Sequence, residues 1–180
     1  WDVPVRDGDL AVIQQPIDFL GVNHYHDDQV SGHPSPNDAT TAAPGREYAS
    51  PFPGSEFVTF PGRGLPRTDM GWEVNPSGLT RLLVRLGHEY GAAMPPLYVT
   101  ENGAAYDDIV TGDGLVHDAD RTAFILDHIA AIAEAIDQGA DVRGYFVWSL
   151  LDNFEWAWGY DERFGIVRVD YDSLARTVKD

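Results

Sequence analysis

The pattern of hydrophobic and polar positions predicts three buried strands. Short apolar runs at residues 17–25, 96–102 and 143–151 each end in polar groups. The runs are apolar on both faces, which is typical of strands that helices cover on one side and a packed interior covers on the other. Residues 26–67, rich in Pro, Gly, Ser, Asp and Thr, predict a long irregular loop, and residues 159–172 predict a turn or short hairpin.

Two segments between these strands repeat apolar residues at helical spacing. The first is predicted to begin at Asn75-Pro76, because proline is favoured at the first helical position, and to end at Gly91. Its apolar residues are Leu79, Leu82, Leu83, Leu86 and Tyr90. Asp118 is predicted to cap the second helix, which Gly139 closes. Its predicted apolar stripe is Ile125, Ile129, Ile132 and Ile136.

The alternation of strands and helices predicts an α/β fold with parallel strands joined by helical crossovers. Three such units fit either a doubly wound sheet or part of an eight-stranded barrel. Both architectures place their chemistry beyond the carboxyl ends of the strands. We therefore expect the functional residues of this chain at the ends of its apolar runs.

Composition narrows the function classes. The 180 residues include 29 acidic and 12 basic side chains, for a net charge of −17, which argues against a nucleic-acid partner. No apolar stretch of about 18 residues predicts a membrane span. The chain has no Cys, which excludes disulfides and is compatible with the cytoplasm, the location we expect. The beginning of the chain lacks a signal-peptide pattern and reads as the middle of a domain.

Carboxylates, amides and indoles follow the predicted strands. They are Asn23, Tyr25, Glu101, Asn102, Trp148, Asp152, Asn153, Glu155 and Trp156. Indole faces stack on the apolar faces of sugar rings, and carboxylates accept hydrogen bonds from hydroxyl groups, so the set indicates a sugar site. Composition alone favours a plainer interpretation, in which the aromatic residues form core and the acids cap loops. No zinc-ligand spacing, phosphate-binding glycine loop or Gly-x-Ser-x-Gly motif is present, so we expect neither metal nor cofactor.

Four segments carry a resemblance to a known family. They are DFLGVNHY (18–25), DMGWEVNPSGL (69–79), YVTENG (98–103) and YFVWSLLDNFEWAWGYDERFGIVRVDY (145–171). In sequence and order they resemble the family 1 glycoside hydrolases, the β-glucosidase family. The resemblance implies the C-terminal part of a (β/α)8 barrel, about its last three strand–helix units, and hydrolysis of β-glycosides with retention. It also implies that residues 1–180 form a single partial domain.

The resemblance assigns catalytic roles to two residues. The Glu of the Thr-Glu-Asn-Gly motif is the family's nucleophile, which implies that role for Glu101. Tyr25 would then be a hydrogen-bond partner of the nucleophile, and Asn23 a neighbour in the site. The family usually has Asn-Tyr-Tyr at this point, whereas this chain has His24 in the middle.

The resemblance also implies the sugar-binding residues. Trp148 corresponds to the floor of the sugar subsite, and Glu155 with Trp156 to the pair that binds the outer hydroxyls. Trp72 corresponds to a wall on the aglycone side. Phe164 either lines the pocket or is plain core, while a structural role is favoured for Asp152 and Asn153.

The second carboxyl group that retention needs is not identified in the sequence. The family's acid lies in a Thr-x-Asn-Glu-Pro motif that these 180 residues lack. Glu73, Glu89 and Glu155 are formal candidates, and each has a better interpretation as helix surface, wall or sugar ligand. We expect the acid in a missing N-terminal half of the barrel, and therefore an inactive chain when residues 1–180 stand alone.

The expected substrates are unphosphorylated β-glucosides, with β-galactosides and β-fucosides as further candidates. A phosphate on O6 would meet like-charge repulsion from Glu155. Three alternatives stay open: a non-catalytic carbohydrate-binding protein, a thioglycosidase variant that dispenses with the acid, and a half-barrel that pairs with a separate chain. A gene fragment without function and a homo-oligomer are open as well.

Overall fold

The computed structural model describes residues 4–32 and 58–180. In chain order the elements are α1 (Asp9–Ile13), β1 (Leu20–Asn23), α2 (Pro76–Tyr90), β2 (Leu97–Asn102), α3 (Ala119–Asp137), β3 (Val142–Val147), β4 (Val167–Val169) and β5 (Arg176–Val178). Short 3-10 turns cover Gly91–Ala93 and Trp156–Trp158. All three predicted strands and both predicted helices are present. The short helix α1 had no counterpart in the sequence prediction.

The three main strands form one parallel sheet in the order β1-β2-β3. Leu20 lies opposite Leu97, and Leu97 lies opposite Val142. The helices α2 and α3 supply the crossovers between these strands. Because all three strands run the same way, their carboxyl ends meet at one edge, as the alternating pattern predicted.

The main core fills the space between the sheet and the two helices. It consists of Val22, Leu79, Leu83, Leu97, Val99, Ile132, Ala135 and Ala140. The helices also contact each other through a buried hydrogen bond of 2.9 Å from Thr80 Oγ1 to the carbonyl of Ala131. Leu79 and Leu83 are fully buried, and Leu82 and Leu86 pack partly buried against the core. These four residues confirm their part of the predicted apolar face of α2, whereas Tyr90 is 58% exposed.

The opposite face of the sheet is aromatic and open. Phe19 and Phe146 are 53% and 57% exposed. Phe19 meets Tyr98 edge to face, with ring centroids 5.2 Å apart. Tyr98 lies so close to β3 that a Cβ on Gly144 would come within 2.3 Å of its ring. An apolar sheet face of this kind is normally covered in a folded domain.

The predicted isoleucine stripe of α3 is correct at Ile132, which is 7% exposed, and wrong at two other positions. Ile129 and Ile136 are 44% and 46% exposed. The buried residues are Arg121, Phe124, His128, Ala131, Ile132 and Ala135. Hydrophobicity alone misjudged the face because two polar residues, Arg121 and His128, are buried with hydrogen-bond partners of their own.

Both helix starts lie where they were predicted, although the N-cap side chains bond elsewhere. Asn75 donates to Asp27 Oδ1 over 2.9 Å, and Asp118 pairs with Arg121. The residues from 159 to 172 continue into an antiparallel hairpin of β4 and β5, in which Val169 lies opposite Arg176. The centre of the predicted loop at 26–67, residues 33–57, lies outside the described residues. Its described ends meet at an isolated bridge between Ser31 and Thr59.

No helix within residues 4–32 and 58–180 combines the length and the apolar character that crossing a membrane requires.

Two buried histidines lie between β1 and α3. The rings of His24 and His128 are 6.2 Å apart between centroids, and His128 stacks on Phe124 at 3.9 Å. Burial lowers the pKa of His24 to about 4 and also lowers the pKa of His128. The His24 ring is therefore neutral in the folded protein at mildly acidic pH, and burial also disfavours the charged form of His128.

This burial predicts an acid-sensitive stability. Between pH 6.5, the ordinary pKa of histidine, and about 4, an unfolded chain protonates His24 and the folded chain does not, so stability falls as pH falls through that window. The His24 contribution to the loss is about 3 kcal/mol at its largest. We expect His24→Phe to flatten the change in unfolding free energy between about pH 7 and about pH 5, measured by urea titration.

The exposed His88 offers a matched control, since His88→Gln removes a histidine from the surface of α2 and leaves the buried pair of His24 and His128 in place. An unchanged slope in His24→Phe would show that His24 is not the titrating group.

Candidate active site

The ends of β1 and β2 bring Tyr25 and Glu101 together. Asn23, the last residue of β1, lies opposite Glu101 in the sheet, and Tyr25 follows two residues later. The Tyr25 hydroxyl donates a hydrogen bond of 2.7 Å to Glu101 Oε2. Burial raises the pKa of Tyr25, and the hydrogen bond to Glu101 raises it further. The phenol is therefore a protonated donor across the physiological range.

A second layer of hydrogen bonds fixes these strand ends. The amide of Asn102 is fully buried, donates to the His24 carbonyl over 2.7 Å and accepts from the Tyr145 hydroxyl over 2.9 Å. The backbone N–H of His24 donates to the Glu101 carbonyl over 2.9 Å. Asn23 accepts a 2.7 Å hydrogen bond from Thr100. The backbone on both sides of Glu101 is thus held against β1.

The end of β3 brings Trp148 beside the same edge. Its backbone N–H donates to the Asn102 carbonyl over 2.9 Å. The approach is so close that a Cβ on Gly103 would lie 1.8 Å from the Trp148 carbonyl oxygen. A glycine after Glu-Asn is therefore a steric requirement of the contact between the two strand ends.

The pKa of Glu155 shows that its carboxyl group is affected by the charge of Glu101. Burial raises its pKa, a hydrogen bond from the Trp148 side chain opposes that change, and the charge of Glu101 raises the pKa again. The Glu101 and Glu155 carboxylates also both contribute to the raised pKa of Tyr25. Glu101, Tyr25, Trp148 and Glu155 therefore form one coupled cluster.

Aromatic rings line the side of this cluster. Tyr25 lies 5.7 Å from Trp72 and 5.9 Å from Phe164 between centroids, and Trp72 lies 6.2 Å from Phe164. His26 stacks on Trp72 with ring centroids 4.8 Å apart. Phe164 is 2% exposed, so it is core and contacts the pocket rings as well. These rings form a continuous aromatic wall beside Glu101.

Trp156 differs from the other predicted sugar ligands, because it is 80% exposed and has a positive φ of 45°. Sequence reasoning missed His26 and also Trp158, which packs partly buried against Met70, Ala105 and Phe164. The run of aromatic residues around 156–158 was the available signal for Trp158.

Two of the three formal acid candidates are occupied elsewhere. Glu73 is buried and accepts hydrogen bonds of 2.7 Å from both the backbone N–H and the Nε of Arg63. Burial raises its pKa, but the bonds from Arg63 outweigh burial and hold that pKa below its usual value. Glu89 is exposed and pairs with Arg85 at 2.8 Å. A proton donor has to stay protonated near neutrality, and the environment of Glu73 opposes that.

Asp152 and Asn153 make the structural contacts that were favoured for them. The Asp152 carboxylate accepts from the backbone N–H groups of Gly165 and Val169 at 3.0 and 3.1 Å. Asn153 donates to Ser149 Oγ over 3.0 Å. Within the described ranges, no group of three or more His, Asp or Glu side chains is arranged to hold a metal ion.

A parallel sheet with helical crossovers and an acidic, aromatic cluster at its carboxyl edge is typical of part of a (β/α)8 barrel and also of a doubly wound sheet. The sequence model of the family described as glycosyl hydrolase family 1 matches residues 1–180 of this chain. The chain belongs to that family.

Curated relatives and solved structures agree with this assignment. The chain is 46% identical to β-glucosidase A of Thermotoga maritima, over 96% of this chain and 34% of that protein. It is equally similar to a bifunctional β-D-glucosidase/β-D-fucosidase of Bifidobacterium breve, over 98% and 38%. A psychrophilic β-glucosidase from Micrococcus antarcticus superposes with a TM-score of 0.88 at 59% identity, over 97% of this chain and 38% of that one.

The Thermotoga maritima enzyme in complex with deoxynojirimycin superposes with a TM-score of 0.79 at 44% identity, over 96% of this chain and 34% of that one. The chain thus spans about a third of the length of the curated relatives it matches. Its fold is that of one part of their barrel.

Proposed function

We propose that the complete protein, meaning this chain together with the rest of its barrel, hydrolyses β-glucosides with retention and uses Glu101 as nucleophile. The observation that carries the proposal is the 2.7 Å hydrogen bond from Tyr25 to Glu101 at adjoining strand ends of a family 1 chain. A directed hydrogen bond to one carboxylate oxygen fixes the orientation of the group and leaves the other oxygen for attack.

In the proposed reaction, a Glu101 oxygen attacks the anomeric carbon while the bond from that carbon to the aglycone oxygen breaks. The departing oxygen takes a proton from a second carboxyl group, and the sugar remains as an ester on Glu101. Water then gives its proton to the same second carboxyl group and attacks the anomeric carbon. The free sugar and the Glu101 carboxylate are released, and retention needs the two carboxyl groups about 5–5.5 Å apart.

The surrounding residues have distinct roles in this proposal. Tyr25 orients Glu101 and, because burial keeps the phenol protonated, stabilises the carboxylate when it is released. Trp148 stacks on the sugar and Glu155 accepts bonds from its outer hydroxyls, with Trp156 and Asn23 beside them. Trp72, flanked by His26 and Tyr25, forms the aglycone wall.

We propose that the second carboxyl group comes from a part of the barrel outside these residues. The exposed aromatic face of the sheet supports this, because Phe19 and Phe146 lie where a closed barrel has its interior. The chain covers about a third of the length of its relatives, which also supports a second carboxyl group outside these residues. Residues 1–180 then form one partial domain, and the remaining barrel strands are its partner. We also propose a cytoplasmic location, on the basis of the cysteine-free composition.

The proposal predicts that Glu101→Gln in the complete protein removes turnover of an aryl β-glucoside. The amide cannot form the ester, so kcat should fall by at least about 10³-fold. Glu89→Gln, which changes an exposed carboxylate of α2, is the matched control and keeps parental kinetics. A Glu101→Gln protein within about tenfold of the parent would exclude Glu101 as nucleophile.

Residues 1–180 expressed alone should give no turnover of the same substrate. The sheet face would be uncovered, its edges unpaired and the second carboxyl group absent. Adding the separately expressed N-terminal part of the barrel should restore activity if the two pieces associate, as followed by size-exclusion chromatography. Turnover by residues 1–180 alone that Glu101→Gln abolishes would refute the partial-site interpretation.

We further propose that the natural substrates are unphosphorylated β-glucosides, with β-galactosides and β-fucosides as further candidates. The negative charges of Glu101 and Glu155 already raise the pKa of Tyr25, and a phosphate on O6 would add another charge. The complete protein is therefore expected to have a higher kcat/KM for cellobiose than for cellobiose 6-phosphate. Preference for the phosphorylated sugar would contradict this substrate class.

One observation favours a second candidate, a carbohydrate-binding protein or thioglycosidase variant without the acid. Glu73 and Glu89 are engaged elsewhere, so no acid is assigned within the described residues. An intact Asn-Glu-Pro segment in the rest of the barrel favours the hydrolase, and its replacement favours the second candidate.

A further inference from the structure

A buried network of charges lies beneath the candidate site. Its cations are Arg121, Arg163 and Lys179, and its anions are Asp108, Asp118 and Asp152. The side chains of Arg121, Lys179 and Asp108 are each 1% exposed, and that of Asp152 is fully buried. Three positive and three negative charges balance, which is the condition under which such burial is tolerated.

Arg121 ties α3 to the segment that follows Glu101. Its Nε donates to the carbonyl of Ala104 over 3.1 Å, and its Nη2 donates to the carbonyl of Tyr106 over 3.2 Å. It also reaches Asp108 at 3.5 Å. One half of the network therefore fixes the backbone directly after the Glu101-Asn102-Gly103 turn.

Asp152 fixes the segment that follows Trp148. Its carboxylate accepts from Arg163 over 2.6 Å and from the backbone of Gly165 and Val169. A Cβ on Gly165 would lie 2.2 Å from the Asp152 nitrogen, so the backbone segments around Asp152 and Gly165 are in direct contact. Phe164, in the pocket wall, lies between two residues that bond to Asp152.

Lys179 joins the two halves. Its Nζ lies 2.6 Å from Asp108 Oδ2 and 3.1 Å from Asp152 Oδ1. Its backbone N–H donates to the carbonyl of Ile166 over 3.1 Å. Lys179 is the sole lysine of the sequence, in which every other basic side chain is arginine. Its ammonium group is a compact point charge that reaches both carboxylates at once.

We propose that Lys179 is a positioning residue, which sets the separation between the Glu101 segment and the Trp148–Glu155 segment by bridging Asp108 and Asp152. The inference rests on the proposed function, because the quantity that it predicts is glycosidase kinetics. Displacement of a reacting group by about 1 Å can cost about 10²-fold in rate. The bridge therefore acts through Glu101 and Glu155 without contacting the sugar.

Loss of the bridge leaves each aspartate with a partner. Asp108 keeps Arg121 at 3.5 Å and Asp152 keeps Arg163 at 2.6 Å. Lys179→Met retains most of the side-chain volume and removes the charge. We therefore expect a folded protein of lower stability in which the two segments are no longer coupled.

The test compares the complete parent protein with its Lys179→Met variant per active site. A 2-deoxy-2-fluoroglucoside with a good leaving group titrates the competent sites, and kcat and KM for an aryl β-glucoside are divided by that number. We expect the per-site kcat/KM to fall by about tenfold or more, with weaker binding of deoxynojirimycin. A purely structural role would lower the number of competent sites and leave the per-site constants unchanged.

Arg143→Met is the matched control, because it breaks the exposed pair with Asp141 at 2.8 Å, and it should keep parental per-site constants. If Lys179→Met does not fold, Lys179→Arg tests the same point, since it keeps the charge and changes the geometry. It should show the same per-site loss.

Per-site constants within about twofold of the parent in the folded Lys179 variant would overturn the positioning role alone. If the parent protein shows no turnover and no fluorosugar labelling, the proposed function is overturned, and the positioning role is overturned with it.

Discussion

Parallel pairing of β1, β2 and β3 is the constraint on which the rest of the structure depends. It brings three strand ends to one edge, so residues 76 positions apart in sequence, Tyr25 and Glu101, meet at hydrogen-bond distance. The pairing in turn requires α2 and α3 to cover one face of the sheet. A slip in register at β1 would move Tyr25 away from Glu101 and turn Val22 out of the core.

Close approach of backbones, rather than side-chain packing alone, sets the geometry of the site. Gly103 lets the Trp148 carbonyl come against the turn after Glu101, and Gly165 lets the hairpin segment come against Asp152. Both contacts are held by groups that are buried and paired, such as Asn102 and the charge network around Lys179. The geometry around Glu101 therefore depends on buried residues that lie outside the candidate site.

Local patterns predicted the elements well, because their causes are local. Pro76 fixes the first turn of α2, and the apolar runs become strands. The buried face of α3 was mispredicted because Arg121 bonds to distant carbonyl groups and His128 to the Phe124 carbonyl one turn away, and hydrophobic periodicity registers neither bond. The approach of Tyr25 to Glu101 came from the family resemblance. The stack of His26 on Trp72 and the bridge at Lys179 depend on tertiary contacts that neither periodicity nor motif encodes.

The central claim is that Glu101 bonds covalently to the sugar. The most direct measurement is to trap the complete protein with a 2-deoxy-2-fluoro-β-glucoside and to map the modified peptide by mass spectrometry. Attachment of the fluorosugar to Glu101 is the predicted result. Attachment to any other side chain, or turnover by the protein without any covalent adduct, would contradict the claim.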